Sequence, residues 1–386
     1  MRFLALLAGL PIALASSPAH VDAQQATKPS AQQAPKPSAA QATKSPAQQA
    51  PKPSAAQATK PPAQQATKPV LRVYLLAGQS NMEGHGVVDL DDERDYNGGR
   101  GTLARFVDDP ANKAAWGDLR AADGAPNTNG WAIRDDVFVS YLTQRGTQKA
   151  GALTVGYSCY DGTHHIGPEL GIGRQLGRRF DEPVLLVKTA WGGKSLMKDF
   201  RPPSAEGDTG PFYTKMLEEY RAAIAAIPTR FPQFAGHAPQ LDGFIWMQGW
   251  NDACDKAATA EYAANLAHLI RDLRAEFGNP TLPFASGESG NWDGEEFRTA
   301  QRKGCEDPSV AAHTRFVPTR GFLRKPEDSP NKGHGHHWFG NGESYLRIGD
   351  ALGAAMIVLV DEREQQGTSG REAGGDAVAP AAPASK

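Results

Sequence analysis

A hydroxyl, two bare glycines, an amide and a group of imidazoles occur along this 386-residue chain in an order that suits acyl transfer. Ser80 stands in Gly78-Gln79-Ser80-Asn81-Met82, directly after an apolar run. A glycine ahead of the serine permits a tight turn. The serine then falls at a loop or helix start, where free backbone N–H groups favour a developing negative charge. Ala190-Trp191-Gly192-Gly193-Lys194-Ser195 follows a second apolar run and brings bare backbone close to whatever occupies that edge. Gln248-Gly249-Trp250-Asn251-Asp252 follows a third, and its Asn251 side chain is able to donate hydrogen bonds. His334-Gly335-His336-His337-Trp338 stands just ahead of the last helical pattern. A nucleophile, backbone and amide donors and an imidazole base are the parts that acyl transfer needs.

Each part also has a plainer use. A serine after a strand commonly caps a helix, and Gly-Gly commonly makes only a turn. Gly193-Lys194-Ser195 is not a phosphate loop, because that motif needs a glycine where this chain has Lys188. There is no G-x-S-x-G elbow either: Gly287-Glu288-Ser289 has Asn291 in place of the closing glycine. The histidines, with Asp328 or Glu343 nearby, have the composition of a zinc site. Trp191, Trp246, Trp250 and Trp338 are either stacking faces for sugar rings or core residues.

The elements that must position these groups are legible in the apolar periodicity. Val70–Ala77, Pro183–Thr189, Leu241–Met247 and the weaker Leu282–Ala285 read as buried strands. Helices are expected over Pro168–Phe180, Phe212–Ala226, Ala258–Phe277 and Gly342–Leu359. In the third, Tyr262, Leu266, Leu269, Ile270, Leu273 and Phe277 share one face. Strands separated by helices imply parallel βαβ units, with ligands gathering beyond the carboxyl edge of the sheet. The fold class is α/β.

The ends of the chain are different in kind. Residues 1–23 have the charge, apolar stretch and small terminal residues of an export signal, placing the protein outside the cell or in a periplasm. Residues 24–69 repeat a 16-residue unit of Ala, Gln, Pro, Lys, Ser and Thr, with lysine at every eighth position from Lys28 to Lys68. That stretch lacks the apolar groups to offset its ordering entropy and reads as a disordered linker. Its lysines suit an anionic cell-envelope polymer. Residues 361–386 read as a disordered tail. The linker holds six lysines and no acid, so with a net charge of −2 the remainder sums to −8, which excludes a basic nucleic-acid binder. No apolar run reaches the roughly 18–20 residues of a membrane span. Cys159, Cys254 and Cys305 are too few for a disulfide scaffold, although Cys254 and Cys305 could pair after export.

The blocks GQSNM, AWGGKSL, WMQGWND and GHHWFGNGESYLRIGDALG, in this order across residues 70–360, resemble the SGNH/GDSL hydrolase superfamily. They are most similar to its sialate O-acetylesterase-like carbohydrate esterase branch. The resemblance implies a three-layer α/β/α sandwich with a mainly parallel central sheet. It implies a serine esterase that removes O-acetyl groups from carbohydrates with no cofactor and no metal. Ser80 becomes the nucleophile, with its own N–H, Gly192 or Gly193, and Asn251 forming the oxyanion hole. His337 becomes the base, with His336 its competitor, and Gln79, Asn81, Gln248 and Trp250 are expected at the substrate. That branch usually carries an aspartate three residues before the catalytic histidine. Here the position holds His334 counting from His337, or Gly333 counting from His336. Either the pair works as a dyad with a backbone carbonyl orienting the imidazole, or Asp328 or Asp252 folds in. Three other readings are a catalytically impaired carbohydrate-binding or envelope-associated protein of this fold, an esterase of non-carbohydrate esters, and a zinc hydrolase using His334, His336 and His337.

Overall fold

The computed structural model describes residues 68–125 and 129–374. The expected signal and all but the last two residues of the expected linker lie outside them. Seven strands form the central sheet: β1 Val70–Gly78, β2 Val137–Leu142, β3 Gln148–Ala152, β4 Val184–Ala190, β5 Ala238–Met247, β6 Phe284–Gly287 and β7 Thr314–Val317. Their spatial order is β3-β2-β4-β1-β5-β6-β7. Every pairing is parallel except β2 with β3, a hairpin at one edge. Five longer helices are α1 Glu169–Arg179, α2 Pro211–Ala225, α3 Lys256–Glu276, α4 Glu295–Glu306 and α5 Gly342–Gly374.

The run VLRVYLLAG is apolar on both faces because both faces are covered. Tyr74 and Leu76 point into one core with residues of α1 and α5, including Leu170, Ile172, Leu346 and Leu352. Val73, Leu75 and Ala77 point into the other with residues of α2, α3 and α4, including Met216, Leu266, Ile270 and Phe297. The three-layer α/β/α sandwich is therefore the architecture, as the motif order implied. The expected face of α3 is buried at Tyr262, Leu266, Leu269, Ile270 and Leu273. Asp255 caps the helix by accepting from the Ala257 and Ala258 N–H groups at 2.8 and 3.3 Å.

Two differences from the sequence reading have clear causes. β2, β3, β7 and α4 were not expected: β3 and β7 are short edge strands with few fully buried positions, so they lack a long apolar run. The last helix runs to Gly374 instead of ending at Leu359, so the tail does not begin at residue 361. Its extension is held by charge: Arg179 pairs with Asp361 at 2.7 Å, Arg363 with Asp242 at 2.9 Å, and Arg315 with Glu362 at 3.1 Å. Among the described residues no helix is long and apolar enough to cross a membrane.

Candidate active site

Strand register brings the motifs together. Gly78 at the end of β1 is paired with Ala190 at the end of β4 and with Met247 at the end of β5. Three adjacent parallel strands therefore stop at one level, and the residues that follow each of them emerge side by side. The crossing is tight: a β-carbon on Gly78 would come within 2.1 Å of the Met247 carbonyl oxygen, so only glycine fits there. The chain then turns into a short helix, Ser80–Glu83. Ser80 is the first residue of that helix, so its N–H is among those without an intrahelical acceptor. A β-carbon on Gly192 would lie 3.7 Å from that of Ser80, placing the Gly-Gly turn directly beside the serine.

An amide network braces this edge. Gln79 Nε2 donates to Asn251 Oδ1 at 3.2 Å, and Gln79 Oε1 accepts from Gln248 Nε2 and the Gly249 N–H at 3.3 and 3.1 Å. Asn251 Nδ2 donates to the Gly193 carbonyl at 2.9 Å, linking the third motif to the second, and its other hydrogen remains. Gly193 has φ +72° and open space where a side chain would be. The Gly192 N–H donates to Gln144 Oε1 at 3.1 Å. Gln144, in the hairpin loop between β2 and β3, was missed by the sequence reading because nothing local marks it.

The histidines ride on the loop before α5. Trp338 and Phe339 in that loop both have left-handed backbone, with φ +53° and +54°. Such a conformation persists only when the surroundings hold it. Here Trp338 is fully buried, and Asn81 Nδ2 and Asn291 Nδ2 both donate to the His336 carbonyl, at 3.1 and 2.9 Å. Tyr345 Oη donates to Asn81 Oδ1 at 2.8 Å. The residue after the serine is thus tied to the residue before His337. The His337 ring stacks on His85, with centroids 3.6 Å apart and planes 11° from parallel. Burial, then the neighbouring His336 and His334, push the His337 pKa down to about 3. Burial does the same to His85, down to about 2. Neither the Ser80 hydroxyl nor the His337 ring makes a hydrogen bond among the described residues.

Neither acid offered as a partner for the histidine bonds the His337 ring among the described residues. Asp252 is fully buried, but its two oxygens accept from the Leu196 and Met197 N–H groups, each at 2.9 Å, and from Gln248 Nε2 at 2.5 Å. It anchors the loop after the Gly-Gly turn. Asp328 is exposed, and its backbone is engaged, the N–H donating to the Lys325 carbonyl and the carbonyl accepting from Asn341, while its carboxylate bonds no histidine among the described residues. Among the described residues no backbone carbonyl bonds the His337 ring, which instead packs flat on His85 and against His336, 4.1 Å between centroids. Glu343 is ion-paired with Arg324 and Arg347, each at 2.7 Å, and does not face the histidines.

The other expected site residues divide. Gln79, Asn81 and Gln248 are buried with their amides committed to the network, so they shape the edge from beneath. Trp191, Trp246 and Trp338 are core. Trp250 is half-buried and meets Trp292 edge-on at 5.1 Å and His336 at 5.9 Å. Trp292 was not anticipated, since it lies in a loop outside the motifs. All three cysteines are free, with Cys305 buried and Cys254 exposed, which corrects the pairing considered for them.

Because Asp252 holds two backbone N–H groups, Asp252→Ala should lower stability by about 3 kcal/mol, as expected when buried donors lose their acceptor. Urea unfolding measures it. A loss below about 0.5 kcal/mol would show that water replaces the carboxylate without cost.

An α/β sandwich with a serine, paired glycines and an asparagine converging at three strand ends defines a hydrolase-like architecture. The family described as carbohydrate esterase, sialic acid-specific acetylesterase, matches residues 70–357, and the chain belongs to that family. Its class is thereby that of the carbohydrate esterases. No curated protein matches the chain. Among solved structures, a protein of Arabidopsis thaliana is similar at 17% identity and a TM-score of 0.47, over 75% of this chain and 99% of that one. A carbohydrate acetylesterase from Xanthomonas citri is similar at 17% identity and a TM-score of 0.43, over 75% of this chain and 57% of that one. NanS is similar at 14% identity and a TM-score of 0.44, over 78% of this chain and all (100%) of that one.

Proposed function

We propose that the protein is an exported serine esterase that removes O-acetyl groups from carbohydrates through an acyl-enzyme, without a metal in its chemistry. The observation that carries this reading is the shared register of Gly78, Ala190 and Met247, which sets Ser80 beside the Gly192-Gly193 turn and within one amide of Asn251. Ser80 Oγ attacks the acetyl carbonyl, and His337 takes its proton and returns it to the departing sugar hydroxyl. In the resting structure the His337 ring lies on His85, so proton abstraction requires it to turn toward Ser80. The tetrahedral oxyanion is met by the Ser80 N–H, the Gly-Gly turn and the second hydrogen of Asn251 Nδ2. Gln144 occupies the Gly192 N–H at rest, so this donor becomes free only if substrate displaces Gln144; Gly193 is the alternative. Trp250 and Trp292 offer the aromatic surface for a sugar ring. The reading of residues 1–23 supports a secreted or periplasmic location.

Acetate release from an acetylated glycan and from p-nitrophenyl acetate tests the reading, with and without EDTA. Turnover of the glycan that survives chelation is expected. Turnover of the aryl ester alone would shift the substrate to non-carbohydrate esters. Saccharide binding with no release from either would point to the catalytically impaired reading. Asn251→Ala should lower kcat by about 10²–10³-fold with KM little changed, as for loss of one oxyanion donor. A change in KM alone would remove Asn251 from the oxyanion hole.

A further inference from the structure

Behind the serine helix, one carboxylate, one imidazole and one thiol converge. Glu83, His85 and Cys159 each direct a donor atom to a common point, and all of these atoms lie within 4.8 Å of one another. His85 Nε2 is 3.9 Å from Cys159 Sγ. Two ligands of a tetrahedral zinc ion stand about 3.5 Å apart, given Zn–S and Zn–N lengths near 2.3 and 2.0 Å. The site therefore needs shifts of only a few tenths of an ångström in this pair to close on an ion.

The supports of these side chains have the form that metal ligands use. His85 Nδ1 is hydrogen-bonded to Tyr160 Oη at 2.9 Å, which leaves Nε2 as the nitrogen facing the thiol. Glu83 accepts from Tyr141 Oη at 3.3 Å and lies against the Gly192 turn. The nearby ammonium of Lys188 is already neutralised by Glu169 at 2.8 Å. Carboxylate and thiolate together carry two negative charges, matching a divalent cation. A cavity of about 180 Å³ lined in part by His85, Tyr160 and His337 reaches the His85 side of the cluster.

We infer that Glu83, His85 and Cys159 form a binding site for a borderline-soft divalent transition metal such as zinc or cobalt, and that occupancy inhibits the esterase. Binding releases the thiol proton to solvent and forms the metal–thiolate bond, with no change of oxidation state. Inhibition follows from position, and this part rests on the proposed roles of Ser80 and His337. The ion would grip His85, on which the His337 ring lies, and Glu83, which lies against the turn beside Ser80.

Cobalt(II) titration of the full chain tests this site, read by the thiolate-to-cobalt charge-transfer absorption, with zinc affinity measured by competition against a chromophoric chelator. One-to-one binding is expected, retained in Ser80→Ala and in Cys254→Ser. Cys159→Ser should abolish the absorption and weaken zinc at least tenfold. His85→Gln should weaken it comparably, and circular dichroism would verify that both variants fold. Absence of binding, or binding indifferent to Cys159→Ser and His85→Gln, would overturn the site. Indifference to these variants together with loss on His334→Ala or His336→Ala would move the ion to the other histidines. Since binding is read in Ser80→Ala as well, its failure is separable from failure of the esterase mechanism. Metal binding that leaves ester turnover unchanged would overturn the inhibitory part alone.

Discussion

Ser80→Ala should reduce acetate release by on the order of 10⁴-fold or more while leaving the unfolding midpoint close to that of the wild type. The size follows from removing the atom that forms the acyl-enzyme, whose loss leaves only the residual catalysis of oxyanion donors and binding. Stability should be preserved because the Ser80 hydroxyl makes no hydrogen bond among the described residues, and its replacement takes away no structural partner. The serine itself is buried, with 7% of its surface exposed, so the change is also small in volume. Burst kinetics with an activated ester provide a second readout: a stoichiometric burst in the wild type should vanish in the variant. Activity indifferent to the substitution would sink the serine mechanism, and the loss of activity on chelation would then favour a metal hydrolase.

His337→Ala should be comparably damaging, on the order of 10⁴-fold, whereas His336→Ala should cost less than about tenfold. The two residues are adjacent, but their surroundings differ. The His337 ring is sandwiched against His85, while His336 is more open and borders Trp250. The pH profile distinguishes them further. A general base acts in its neutral form, so activity is lost as pH falls through its pKa. Burial and neighbouring imidazoles hold His337 at about 3, far below the ordinary 6.5. The acid limb of kcat/KM, which reports the free enzyme, should therefore lie well below pH 6.5. His85→Ala removes the stacked ring and with it part of the burial of His337, so it should bring that limb upward. A limb near 6.5 in the wild type would mean that the acting base is a solvated histidine, and larger damage from His336→Ala would reassign the role.

The residues of this site differ in how strongly the chain around them marks them, and the differences have physical origins. Ser80, Gly192, Gly193 and Asn251 were legible because each follows a run of apolar residues, and a parallel sheet covered on both faces demands such runs. The turn chemistry at their ends is local: a glycine that must clear a neighbouring carbonyl, then a polar residue starting a short helix. Four of the central sheet's seven strands and four of the five longer helices among the described residues were found for the same reason. β3 and β7 escaped because edge strands have little surface to bury and therefore no apolar pattern to show. Gln144 and Trp292 escaped because each reaches the site from a loop between other elements.

Residue types and their spacing carried the α/β class, the order of the motifs and the choice of Ser80 as candidate nucleophile, since periodicity and turn residues act over a few positions. Which polar groups face one another depends instead on how the chain closes in three dimensions. Asp252 looked available to a histidine and is instead taken up by two backbone N–H groups and an amide. Asp328 looked close in the chain and points to solvent. His85, five residues past the serine and unmarked by any motif, ends up flat against His337, more than 250 positions away. Such pairings depend on strand register and on loops closing over long separations, and no local pattern of residue types encodes them.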